Sequence, residues 1–86
     1  MNNDQLIIDL KEIITPYTEE QLALAEINEQ TDFLKDLKIN SANLVDIILD
    51  VEEKFGIEID NDSMAKMIDV KATIVIIKEK LAANAG

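Results

Sequence analysis

The chain has no cysteine, histidine, arginine or tryptophan, and its 86 residues include only two glycines, one proline and 3% aromatics. Each shortage removes a class of protein. Without cysteine or histidine there is no disulfide scaffold and no Cys/His zinc site. Without an imidazole there is no Ser-His-Asp triad and no histidine to move a proton, so an enzyme is not expected. Two glycines and one proline are too few for the tight turns of an all-β fold. No apolar run approaches the roughly 18 residues of a membrane-spanning helix, and the start Met-Asn-Asn-Asp lacks the basic character of a signal peptide. A cytoplasmic location with no membrane partner is the expectation.

Hydrophobic residues make up 48% of the chain, and with so few aromatics the core must be built from Leu, Ile, Val and Ala. A chain of this length buries roughly two-thirds of its unfolded surface, enough for one small domain over residues 1–86 but not for a deep catalytic cleft. Eighteen acids against eight lysines give a net charge of −10. A surface that negative disfavours nucleic acid and anionic lipid, and draws in basic partners in a salt-sensitive way.

Periodicity predicts helices. Leu6, Leu10, Ile13 and Ile14 fall at helical spacing behind a cap at Asn3 or Asp4, and Pro16 ends that helix. Tyr17 to Asn40 form a long connection, with a short helical possibility around Glu19 to Ile27 and with Phe33, Leu34 and Leu37 as core anchors. A second helix starts at Asn40 or Ser41 and stops near Phe55-Gly56. Ile57 to Ile59 are extended, and Asp60 or Asp62 caps a brief helix through Met67. Asp69 caps the last helix, which carries Val70, Ile74, Ile77 and Leu81 on one stripe. The β-prone run Ile74 to Ile77 is assigned to that helix, because the cap precedes it and Lys78 to Ala83 continue it. Asn84 to Gly86 are expected to fray. The fold class is all-α: a small four-helix bundle, three main helices plus one short, and nothing demands more than a monomer.

Ser41 stands at the first turn of the second helix, where backbone N–H groups lack partners and favour an anion. Asn40 or Ser41 also serves as an ordinary N-cap. Along this helix Leu44, Ile47, Ile48, Val51 and Phe55 form the apolar stripe, with Asn43, Asp46, Asp50 and Glu53 opposite. Ala42, Val45 and Leu49 lie on a flank between, bordered by Asp46, Glu52 and Glu53. Residues 43–62 hold seven acids and one lysine.

The stretch from Phe33-Leu34-Lys35-Asp36-Leu37-Lys38-Ile39-Asn40-Ser41 to Glu52-Glu53-Lys54-Phe55-Gly56-Ile57-Glu58-Ile59 resembles the acyl carrier protein family, whose pattern reads F-x-x-D-L-G-x-D-S-L and then E-E-x-F-G-I-x-I. The resemblance implies a carrier of acyl intermediates in fatty-acid, polyketide or related lipid biosynthesis. It implies a covalent 4′-phosphopantetheine arm, derived from coenzyme A, on Ser41. It also implies a recognition face in which Asp46, Glu52 and Glu53 steer toward basic patches while Val45 and Leu49 dock. The implied partners are a phosphopantetheinyl transferase and the acyl-transferring or acyl-modifying enzymes.

The chain departs from the pattern at three places. Asn40 and Ala42 replace the Asp and Leu around the serine, and Lys38 stands where the family has Gly. These changes leave open a second reading, a carrier-shaped acidic binding module that bears no arm. Two other features compete weakly. Asp62-Ser63-Met64 mimics Asp-Ser-Leu but lacks the lead-in and the long acidic helix. Glu58, Asp60, Asp62 and Asp69 match positions 1, 3, 5 and 12 of a calcium loop, but Ser63 replaces its glycine and Asp69 its glutamate, so no metal site is expected.

Overall fold

The stripe of Leu6, Leu10 and Ile14 folds as α1 (Asn3–Ile14), with all three side chains fully buried, in a computed structural model that describes residues 3–85 and the side chains through residue 83. Asn3 and Asp4, expected to cap this helix, both lie within its first turn. The Asn3 amide instead donates to Glu29 Oε1 at 2.8 Å. Pro16 ends the ladder because its ring nitrogen has no hydrogen to donate, and Thr15–Tyr17 tighten into a 3₁₀ turn. The helical possibility around Glu19 to Ile27 is realised as α2 (Gln21–Ala25), which buries Leu24 and leaves Leu22 exposed.

The connection into the next helix is anchored by Phe33, Leu37 and Ile39, all buried. Leu34, the third expected anchor, is instead 40% exposed. The Asp32 carboxylate accepts from the N–H groups of Leu34 and Lys35, both at 2.8 Å, and Asp36 Oδ2 accepts from the Asp32 N–H at 2.8 Å. These bonds wind the segment so that Phe33 and Leu37 point inward, with Leu34 turned out between them. The same segment is stitched to the start of the last helix: Phe33 N–H to Ile68 O (3.0 Å), Val70 N–H to Thr31 O (3.0 Å) and Lys71 N–H to Glu29 O (3.1 Å). An isolated bridge pairs Asp32 with Asp69, and the described residues contain no strand.

The long acidic helix is α3 (Ser41–Phe55), which buries Ile47, Ile48 and Val51 and half-buries Leu44 and Phe55. It closes at Gly56, whose φ of 64° is left-handed and whose N–H returns to Glu52 O. Ile57 and Ile59 are buried on either side of exposed Glu58, an alternation proper to extended chain. Asp60 then takes the N-cap position of α4 (Asn61–Lys66) and pairs with Lys80 Nζ at 3.1 Å.

The last helix is α5 (Val70–Ala85), capped by Asp69 Oδ1 accepting from Ala72 N–H at 2.8 Å. The β-branched run remains helical because Ile74, Ile76 and Ile77 are all buried, and that packing outweighs local propensity. The helix continues through Asn84 and Ala85, where a frayed tail was expected; Gly86 lies outside the described residues. The architecture is thus a helical bundle of three main helices, α1, α3 and α5, with two short ones, α2 and α4. α1 packs against both α3 and α5, and α4 against α5.

Candidate functional site

The N-terminus of α3 resolves which residue is the cap. Asn40 holds extended backbone (φ −78°, ψ 164°), and its Oδ1 accepts from Asn43 N–H at 2.8 Å. Ser41 is therefore the first helical residue rather than the cap, and its side chain is exposed. An anion on that hydroxyl would meet the free N–H groups and positive end of a 15-residue helix. Reachable, and not required for capping, the hydroxyl fits a phosphodiester.

Beyond Ser41, Ala42, Val45 (42%) and Leu49 (51%) are exposed along one flank of α3. Asp46 and Glu53 are exposed beside them. Glu52 is half-buried and already engaged: its carbonyl accepts from Ile57 N–H at 3.1 Å and its Oε2 from Ile59 N–H at 2.7 Å. Asp50, read from the sequence as part of the outward acidic side, is half-buried and accepts from the Tyr17 hydroxyl at 2.7 Å. That bond, with burial and the charges of Asp50 and Asp46, raises the Tyr17 pKa above its ordinary 10.0.

Two features here were not anticipated. Lys38 has a φ of 53°, the left-handed region that explains why glycine is the family's residue at that position. A cleft of about 360 Å³ also opens between the 3₁₀ turn and the head of α3, lined by Tyr17, Glu20, Leu37, Lys38, Asn40 and Asn43 among others. The cleft had no sequence signal, because its walls come from two segments, residues 17–20 and 37–43, that the fold brings together.

The two competing motifs are employed otherwise. Ser63 lies inside α4. Its hydroxyl first, then Lys80, brings the Asp60 pKa from 3.8 down to about 2. Asp69 is committed to capping α5, and no three acidic side chains converge to hold a metal ion among the described residues.

Comparison with known proteins agrees with this geometry. The family model described as the phosphopantetheine attachment site matches residues 10–72. Acyl carrier protein from Nitratidesulfovibrio vulgaris strain Miyazaki F is 35% identical over 75 residues, spanning 85% of this chain and 99% of the relative. That from Helicobacter acinonychis is 36% identical over 80 residues, spanning 90% and 97%. A solved structure of acyl carrier protein from Enterococcus faecalis superposes with a TM-score of 0.74 over 93% of this chain and 99% of the other. Its identity is 21%, a likeness of fold. The relatives and the family model together define a class of carrier proteins. The chain belongs to the acyl carrier protein family, whose cofactor is phosphopantetheine.

Proposed function

We propose that Ser41 carries the 4′-phosphopantetheine arm and that Val45, Asp46, Leu49, Glu52 and Glu53 form the face read by partner enzymes. The observation that carries this reading is the division of labour at the head of α3: Asn40 caps the helix and leaves the Ser41 hydroxyl exposed and unclaimed. When bound, the arm's thiol holds the acyl group as a thioester, and the chemistry belongs to that cofactor and to the partner. The chain supplies attachment and address. Free N–H groups at the start of α3 stabilise the phosphodiester, Val45 and Leu49 offer apolar contact, and exposed Asp46 and Glu53 steer basic surfaces by charge. Glu52 contributes its charge while holding Ile59 in place.

On this reading the partners are a phosphopantetheinyl transferase and acyl-transferring or acyl-modifying enzymes of fatty-acid, polyketide or related lipid synthesis. The protein works as a cytoplasmic monomer. Intact mass after incubation with coenzyme A and a broad-specificity transferase tests the attachment. The expected result is one phosphopantetheine per chain, abolished by Ser41→Ala. Absence of the mass gain, or its survival in Ser41→Ala, rejects Ser41. The uncharged Asn40 beside the serine, where the family has Asp, favours a second reading as an unmodified binding module. That reading gains if protein from the native host is found wholly unmodified while still binding a partner.

A further inference from the structure

Two described residues have positive φ, Gly56 at 64° and Lys38 at 53°. Glycine adopts this conformation freely, whereas a lysine there is held against the clash of its own Cβ with the backbone. Non-glycine residues in this region cluster at functional sites, where the side chain does something a glycine would not. The visible contact of Lys38 does not explain it. Its Nζ lies 4.0 Å from Glu20 Oε1, with 71% and 44% of the two side chains exposed, a pair too loose and too wet to hold a strained backbone.

Position offers an explanation. Lys38 precedes Ser41 by three residues, so their Cα atoms are at most roughly 10 Å apart, a gap that a lysine stem and a phosphate on Oγ close between them. No other lysine occurs between Lys35 and Lys54. Glu19 and Glu20 line the neighbouring cleft and would repel a phosphate, and the whole chain carries −10. A phosphodiester on Ser41 thus enters a negative field in which the lysine three residues away is held only by a weak exposed pair.

We infer that Lys38 is the intramolecular counter-cation of the Ser41 phosphodiester, releasing Glu20 when the serine is modified. The inference rests on Ser41 being the attachment residue. Lys38, which itself lines the cleft, acts as a positioning residue: its ammonium neutralises the base of the arm against the charges of Glu19 and Glu20.

The test compares unmodified and modified forms of wild type, Lys38→Gln and Lys38→Arg by urea unfolding at low and high salt. Complete conversion is verified by intact mass. Glutamine keeps the Cβ, and with it the backbone strain, while removing the charge; arginine keeps the charge. At low salt, modification is expected to raise the wild-type folding equilibrium constant more than that of Lys38→Gln, by up to about five-fold, the excess of one exposed lysine–phosphate pair over the weak Glu20 pair it replaces. The difference should shrink at high salt and reappear in Lys38→Arg. The phosphorus resonance of the modified protein should move between wild type and Lys38→Gln at low salt and coincide at high salt. Equal stability changes on modification in wild type and Lys38→Gln, with the mass gain present, overturn the role of Lys38 and leave Ser41 standing. No mass gain in wild type overturns both.

Discussion

The Tyr17 hydroxyl donates to Asp50 Oδ2 at 2.7 Å and ties the turn around Pro16 to the middle of α3. The helix that presents Ser41 is therefore held to the end of α1 by a directed polar bond as well as by the packing of Ile47, Ile48 and Val51. Packing alone permits small rotations of a helix about its axis; a short bond to a carboxylate resists them.

Tyr17→Phe removes the donor and is expected to lower the unfolding midpoint. The effect has a pH signature. The Tyr17 pKa is raised above 10.0, chiefly by the bond to Asp50, so the folded state holds the phenolic proton more tightly than the unfolded state does. That contribution is complete below pH 10.0 and is lost as pH rises through the raised value. Denaturant melts should show wild type and Tyr17→Phe converging above this pH, and curves that stay parallel would count against the bond.

Asp60 behaves in the opposite sense. Its pKa falls from 3.8 to about 2, first through the Ser63 hydroxyl and then through Lys80. Stability from this depressed carboxyl is present above pH 3.8 and is lost as pH falls through about 2. Asp60→Asn should be less stable at neutral pH, and its deficit should close across that acid window in melts monitored by circular dichroism. A deficit independent of pH would assign the loss to something other than the carboxylate charge.

The two left-handed residues should respond with opposite signs. Lys38→Gly relieves the Cβ clash but adds chain entropy to the unfolded state, for a net gain of about 0.5–1 kcal/mol in the unmodified protein. Gly56→Ala has open space around its new Cβ, so only the backbone conformation opposes it, and a loss of about 1 kcal/mol is expected. Urea midpoints of both variants check the pair; a destabilised Lys38→Gly would show that the lysine already stabilises the unmodified fold.

Asn40 separates capping from charge. Asn40→Ala leaves the Asn43 N–H without its acceptor and should lose about 1 kcal/mol of stability. Asn40→Asp keeps the acceptor and adds a negative charge at the helix's positive end, worth about 0.3–1 kcal/mol. It also restores the family's residue beside the serine, and should load faster in a mass-spectrometric time course with a transferase. Slower loading of Asn40→Asp would mean that the asparagine suits this chain's own partners.

Where side chains repeat with helical period, the sequence was a sufficient guide: Leu6, Leu10 and Ile14, then Ile47, Ile48 and Val51, then Val70, Ile74 and Ile77 are buried as their spacing requires. The connection between Tyr17 and Asn40 has no period to read. There apolar Leu34 is exposed, while Leu24 and Ile39 are buried with no periodicity to mark them. The orientation of that segment is decided by Asp32 and Asp36 bonding to nearby backbone N–H groups, chemistry that composition does not order. At the site, Ser41 and the exposed flank of Val45 and Leu49 could be placed by counting along a helix. The engagement of Asp50 by Tyr17 could not, because it depends on how α1 and α3 meet.

The three backbone bonds that join Glu29, Thr31 and Phe33 to the start of α5 have a mechanical result. Separating the start of α5 from the segment that leads toward Ser41 requires breaking all three of them.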